Sequence, residues 1–374
     1  MGPRRQRPRG VRGQRRVHLP RSIHRREDAD RQAHGDQIVL RLAAAALLLS
    51  VPASAAGPGT TAANFLKIGV GARPVAMGEA YVALADDVHA IHYNPAGLAL
   101  LDRQEVSVMH NKYLEGVHEQ FGAYAYPHWK YGTFAGAFTM LNVTPFEAYT
   151  PLDQPDGKVS ATDIAVAGAW ARQLPLWEKA SVGVSGKFIN SRLATYSASA
   201  GAIDAGFLWR DHEDDGLSLG AAIRNVGSPM TFIAEAFHLP LSLHAGFGYR
   251  GGVPGWDDAS YSFMVEGAAR RDGDPYASAG FEFRPVDAFS LRAGYLGRAD
   301  TGIGLSGGIG FTSLEKGFVA DWFPELSLDY AFVEFGQLSY THRISVSFRF
   351  GVPKGEKREG ATRKPPKFHH LIRY

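Results

Sequence analysis

Along residues 103–350 the chain alternates with a period of two. Stretches of about ten residues carry apolar side chains on one parity and small or polar ones on the other, with turn residues between them and no helical period. In 302–312, Ile303, Leu305, Ile309 and Phe311 share one parity, while Gly304, Ser306, Gly308, Gly310 and Thr312 share the other. The same division sets Ala180, Val182, Val184 and Phe188 against Ser181, Gly183, Ser185 and Lys187. Leu338, Tyr340, Ile344, Val346, Phe348 and Phe350 likewise oppose Ser339, Thr341, Arg343, Ser345, Ser347 and Arg349. Successive side chains of a strand point to opposite faces, so each stretch separates two environments.

Fourteen strands are predicted, near 103–111, 119–127, 131–142, 161–173, 179–190, 197–210, 216–226, 240–250, 259–270, 275–284, 288–297, 302–312, 317–333 and 336–350. The even number suits a single-chain bacterial barrel, whose two ends lie on one side of the membrane. The longest connections, 143–160 and 227–239, fall on one side as outer loops, and the short ones, such as 128–130, 285–287 and 313–316, fall on the other. A soluble sandwich would also alternate, but it would turn bulky charged residues outward. Here the second parity is rich in Gly, Ser and Ala, and Tyr126, Trp129, Tyr131, Trp177, Trp209 and Tyr249 gather near strand ends as interfacial girdles do. The fold class expected is all-β: a 14-stranded antiparallel transmembrane β-barrel in the outer membrane of a Gram-negative-type bacterium, in contact with lipid and lipopolysaccharide.

Charge divides the chain of 374 residues by position. Residues 1–55 hold 12 basic and 4 acidic side chains, 351–374 hold 7 and 2, and the body holds 21 and 31. A body with net −10 lacks the basic face that a nucleic-acid partner requires. The absence of cysteine excludes disulfides, thiolate nucleophiles, cysteine zinc sites and a lipidated N-terminal Cys. Residues 42–49 are an apolar run between Arg41 and Ala53-Ser54-Ala55, too short to span a bilayer and typical of a secretory signal cleaved near Ala55. The expected organisation is a leader of residues 1–37 that does not fold alone, a signal peptide over 38–55, an N-terminal segment over 56–101, the barrel over 102–350, and a basic tail over 351–374. Translation is expected to start near Ile38 or Val39; precursor peptides from residues 1–30 in mass spectra would refute this.

Motifs for catalysis and metals fail in context. Gly302-x-Gly304-x-x-Gly307 and Gly304-x-Ser306-x-Gly308 imitate a dinucleotide fingerprint and a nucleophile elbow, but the first must open a helix and the second needs a strand-to-helix turn, whereas both lie inside one alternating strand. His89 and His92 beside Asp86 and Asp87, and the tail pair His369-His370, are weak metal candidates, and the acidic run Asp211, Glu213, Asp214, Asp215 reads as a solvated turn. No catalytic residue, metal site or cofactor is predicted.

The remaining feature is the Gly-punctuated block 65–101. Pro74 can start a short helix through Met77, Tyr81 and Leu84, and Asn94-Pro95-Ala96-Gly97 reads as a turn. The block is too polar for lipid, but irregular backbone is tolerated inside a barrel, so a hatch within the lumen is expected. Phe65-Leu66-Lys67-Ile68, Gly71-Ala72-Arg73, Met77-Gly78-Glu79-Ala80, Ala85-Asp86-Asp87 and Asn94-Pro95-Ala96-Gly97-Leu98 resemble the N-terminal signature of the PorV/PorQ family within the FadL-like superfamily. The resemblance implies hatch residues at Gly71, Arg73, Gly78, Glu79, Asp86, Asp87, Asn94, Pro95 and Gly97. It further implies partners among exported proteins or components of a type IX-like secretion system, with the outer loops as docking sites. The alternative it leaves is passive transport of long-chain fatty acids or other hydrophobic small molecules, for which Pro324 could kink a strand into a lateral opening; an open diffusion porin is a third reading. Phe348 and Phe350 resemble the terminal aromatic signal read by the barrel-insertion machinery.

Overall fold

The computed structural model describes residues 57, 59–211, 216–298, 302–313, 325–336 and 339–351. The strands are β1 (Gln104–Lys112), β2 (Val117–His128), β3 (Gly132–Tyr149), β4 (Pro155–Leu174), β5 (Trp177–Leu193), β6 (Tyr196–Arg210), β7 (Gly216–Gly227), β8 (Met230–Phe232), β9 (Glu235–Phe237), β10 (Ser242–Val253), β11 (Trp256–Arg270), β12 (Gly273–Val286), β13 (Phe289–Leu296), β14 (Leu305–Thr312), β15 (Glu325–Glu334) and β16 (Tyr340–Phe350). All but β8 and β9 form one closed antiparallel barrel of fourteen strands, sealed where β1 pairs with β16 from Gln104↔Phe350 to Lys112↔His342. β8 and β9 make a small hairpin between β7 and β10. We call the end where β1 begins and β16 stops the proximal end, and the opposite end distal.

The partition of side chains is inverted relative to a soluble protein. On the outside, Phe138 faces Val166 across β3 and β4, and Val166 faces Phe188 across β4 and β5, each at least 40 % exposed. Ile203, Phe281, Ile309 and Ile344 continue this apolar exterior on other strands. On the inside, Glu105, Glu119, Asp204, Glu266, Glu282, Arg292, Asp329 and Arg343 are buried. Every strand therefore presents apolar residues to a medium that is not water and polar ones to its own lumen, the arrangement of a barrel in a bilayer. Among the described residues no helix is long and apolar enough to cross a membrane. Phe348 and Phe350 belong to the outward parity of β16, opposite Val106 and Gln104.

Several connections differ from the sequence expectation. The expected loop 143–160 is mostly a β-ribbon, because β3 runs on to Tyr149 and β4 starts at Pro155. The expected loop 227–239 contains the β8–β9 hairpin and folds inward, with Met230 and Leu239 buried. β14 begins at Leu305, so Gly302 and Gly304, with φ of 66° and 75°, belong to the preceding turn rather than to the strand. The expected strand over 317–333 is seen as β15 from Glu325, and Pro324 lies outside the described residues. Residues 1–56, His369 and His370 lie outside them as well.

Candidate functional site: the segment within the lumen

Residues 61–101 thread through the barrel and pack against its inner wall. Short helices at Asn64–Lys67, Ala72–Ala76, Ala90–Tyr93 and Pro95–Leu100 are joined by turns, and Tyr81, Leu84, Ile91 and Leu98 are buried among Phe121, Leu208 and Met264 of the wall. The helix expected to run from Pro74 through Leu84 stops at Ala76, because Gly78 and Glu79 both take left-handed backbone, with φ of 66° and 58°. The turn brings Gly78 against β12 and β13, where its N–H donates to Ser306 Oγ at 3.1 Å. A β-carbon at Gly294 would overlap the backbone of Gly78, and one at Gly206 would overlap the Asn94 carboxamide. Small lumen-facing residues thus set how closely segment and wall approach.

Arg73 is the electrostatic centre. At 7 % exposure its guanidinium grips Glu282 with two bonds, Nε to Oε2 at 3.0 Å and Nη2 to Oε1 at 3.2 Å. Nη1 also donates to Asp86 at 2.7 Å, Asp87 at 3.3 Å and the Tyr81 hydroxyl at 2.8 Å. The cluster extends into the wall, since Arg250 holds Asp86 at 2.6 Å, while Arg292 bridges Glu282 and Asp329 at 2.6 Å each. Glu266 accepts from the backbone N–H groups of Tyr81 and Val82 at 2.9 and 3.0 Å, and its other oxygen meets His244 at 2.7 Å. A planar, permanently charged guanidinium suits this site because it satisfies several carboxylates at fixed angles.

The signature residues separate into distinct roles. Arg73, Asp86 and Asp87 meet in the cluster. Gly71, at φ 79°, lies against the His89 ring, and its N–H donates to Met109 Sδ at 3.0 Å. Glu79 points elsewhere, 3.9 Å from Arg298. Asn94 donates to the carbonyls of Val82 and Phe207 at 2.7 and 3.0 Å and accepts from Ala96 N–H at 3.1 Å, capping the turn that Pro95 opens. Gly97 lies against the Ala85 carbonyl, where a side chain would not fit. His89 and His92 do not converge: His89 sits between Asp87 and Ser107, whereas the His92 ring packs on Tyr93. Sequence reasoning missed the wall partners Glu266, Glu282, Arg250, Arg292 and Asp329; their signal was a bulky charge on an otherwise small, inward parity.

Two predictions arise here. Asn94→Ala removes three hydrogen bonds and should destabilise the docked segment by about 2–3 kcal/mol, measured as faster hydrogen exchange over 80–98. Burial alone would raise the Asp87 carboxyl, but the neighbouring His89 and then Arg73 outweigh it and bring it to about 2. A depressed carboxylate contributes stability above its ordinary value and loses it as pH falls toward the folded value. Protection of the segment should therefore persist to about pH 4 and decline between there and pH 2, as pH-resolved exchange corrected for intrinsic rates would reveal.

The two sides of the segment differ in character. Toward the proximal end a cavity of about 590 Å³ is lined by Arg73, Asp87, His89, Arg284, Arg292 and Asp329, among others. Toward the distal end, Phe65 and Leu66 pack with Leu141, Ile189, Met230 and Leu239 in an apolar cluster. There the inward-folded β7–β10 connection covers the start of the segment, with Ala62 N–H donating to His238 O at 2.9 Å, and the β11–β12 turn adds Asp272, which Thr61 and Lys67 bond at 2.5 and 2.8 Å.

These features define an outer-membrane β-barrel whose lumen is occupied by its own N-terminal segment. Residues 43–176 match the profile of an uncharacterised protein family (UPF0164), over about a third of the chain. A search of curated proteins finds no match. Among solved structures, the fold is similar to the Pseudomonas putida toluene transporter TodX, with a TM-score of 0.52 and 12 % identity over 79 % of this chain and 98 % of that one. A deltaS2S3 mutant of TodX, described as a monoaromatic hydrocarbon channel, gives 0.52 and 12 % over 75 % and 98 %. A Pseudomonas aeruginosa FadL homologue is a looser match, at 0.45 and 11 % over 75 % and 98 %. At such identities the likeness concerns the fold. None of these matches is specific to the PorV/PorQ branch or to type IX secretion.

Proposed function

We propose that this protein is a FadL-like passive channel for hydrophobic compounds across the outer membrane. The observation that carries the reading is the apolar cluster of Phe65, Leu66, Leu141, Ile189, Met230 and Leu239 in the distal lumen, above a segment fastened by buried charge. With the distal end toward the cell exterior, an apolar solute gains by entering this cluster and a sugar does not. The segment acts as a hatch against bulk water, and Phe348 and Phe350 serve insertion of the barrel. TodX, a toluene transporter by name, has a similar fold and supports this reading. A protein-export role has no such observation in its favour.

The candidate route from the cluster into the wall is the irregularity between β6 and β7, a second place for a lateral opening beside Pro324, which lies outside the described residues. Pairing passes from Ile203↔Val226 to Ala205↔Ile223, so Arg224 and Asn225 together oppose Asp204, with Asn225 at φ 61°. Such a bulge bends the strand and interrupts its ladder. Ala202 and Leu239 of the apolar cluster lie beside it. Burying one small aromatic ring contributes ~2 kcal/mol, so liposomes carrying the protein should pass labelled toluene about thirtyfold faster than a monosaccharide. Equal passage of both would identify a general porin, and passage of neither would remove the transport reading.

A further inference from the structure

We infer that Ser242, His244 and Glu266 form a serine-esterase triad in the lumen, acting on short-chain esters of small apolar alcohols. Ser242 and His244 are two residues apart at the distal start of β10, so both side chains point inward, and Glu266 reaches them from β11, where it stands opposite Gly246. Ser242 Oγ lies 3.0 Å from His244 Nε2, and His244 Nδ1 lies 2.7 Å from Glu266 Oε1. All three residues are buried. A hydroxyl, an imidazole and an orienting carboxylate within hydrogen-bond reach of one another are the geometric mark of an activated serine, wherever the residues fall in the sequence.

The contacts around the imidazole fix its tautomer. The Arg224 guanidinium, which can only donate, faces Nε2, and the Glu266 carboxylate faces Nδ1. Nδ1 therefore carries the proton and Nε2 the lone pair, the form that can take a proton from Ser242. Glu266 is itself held in place, because its other oxygen accepts from the Tyr81 and Val82 N–H groups at 2.9 and 3.0 Å. Ser242 and Arg224 line a cavity of about 10 Å³ together with Leu66, and Leu66 also belongs to the distal apolar cluster. Such a space admits one water-sized group, so the acyl part must be short while the apolar alcohol part stays in the cluster. This way in rests on the transport reading. In the reaction Ser242 Oγ bonds to the ester carbonyl carbon and its proton passes to His244 Nε2. Arg224, whose buried Nε has no acceptor among the described residues, then turns from the protonated ring to the oxyanion. The bond to the alcohol oxygen breaks and the alcohol leaves with that proton. Water next attacks the acyl-serine by the same path and Ser242 regains its proton, so that ester and water become acid and alcohol.

The test uses the purified full-length barrel in detergent with 4-nitrophenyl acetate. Acid quenching followed by peptide mass spectrometry should find acetyl on Ser242, and nitrophenolate release should continue past a single turnover. Ser242→Ala should abolish the adduct and His244→Gln should slow its formation by at least about a hundredfold. Glu266→Gln should lower kcat by a similar factor and leave KM unchanged, a split that a merely structural role would not give. The heat-dependent shift on SDS gels checks that each variant is a folded barrel, and the adduct on the unmodified protein keeps the test informative if one is not. Acetyl found only on lysines overturns the proposal, as does release that Ser242→Ala leaves undiminished. Toluene passage through liposomes separates the two readings. Passage without acetylation of Ser242 overturns the triad and leaves transport standing, whereas acetylation without passage supports the triad and removes transport.

Discussion

Arg73→Ala should detach the N-terminal segment from the barrel wall while the barrel itself remains folded. The substitution removes the bidentate grip on Glu282 and the contacts to Asp86, Asp87 and the Tyr81 hydroxyl, all in a buried setting. Deleting one partner of a buried ion pair costs ~3–5 kcal/mol, because the other charge is left uncompensated. Compensation remains, since Arg250 still holds Asp86, His89 still meets Asp87, and Arg284 and Arg292 still flank Glu282. The lower end of the range is therefore expected, about 3 kcal/mol, or roughly 150-fold faster hydrogen exchange over 72–93. Barrel closure involves β1 and β16 and not Arg73, so the heat-dependent shift on SDS gels that marks an intact barrel should be unchanged. Arg73→Lys should fall between, since an ammonium keeps the charge but cannot span the Glu282 carboxylate while reaching Asp86. Unaltered exchange in the alanine variant would show that the segment is held by packing alone.

The barrel was legible because its signal is local and repeated: period-two alternation is written into every strand, and β5, β14 and β16 show it without reference to a partner. The charged cluster was not, because Arg73 and Glu282 are 209 residues apart and meet only after the wall has curved round. Inward parity marks Glu266, Glu282 and Asp329 as lumen-facing, yet parity says nothing about which of them faces which part of the segment. The ribbon at 143–160 was misread for a different reason. Pro145, Pro151, Pro155 and Gly157 look like a loop, but beyond Val117↔Val143 and Ala161↔Leu193 the outer edges of β3 and β4 have no neighbouring strand. A proline on an unpaired edge loses no ladder bond, so Pro145 and Pro155 are tolerated inside strands. The inward fold of 227–239 follows from Met230 and Leu239, whose apolar side chains find the Phe65–Leu66 surface and not water.

Deleting residues 61–101, with the cleavage region left intact, should convert a closed barrel into an open one. The fourteen strands pair with one another around the full circle, and none of those ladder bonds involves the deleted residues. Insertion should therefore survive, with stability lowered by the loss of the apolar contacts that Tyr81, Leu84, Ile91 and Leu98 make with the wall. A barrel of about eight strands is filled by its own side chains and one of about sixteen leaves an aqueous channel, so fourteen leave a wide lumen once the segment is gone. Its lining of Glu105, Glu119, Glu266, Glu282, Arg292, Asp329 and Arg343 would hydrate at once, since these groups lose their buried partners and gain water. In planar bilayers the deleted protein should conduct at least about tenfold more current per molecule than the intact one, and liposomes containing it should lose the preference for toluene over a monosaccharide. The two readouts separate the alternatives. High conductance with the toluene preference retained would place selectivity in the β6–β7 wall and not in the segment. A silent barrel would mean that the distal connections, led by the inward-folded β8–β9 hairpin, close the lumen without the segment.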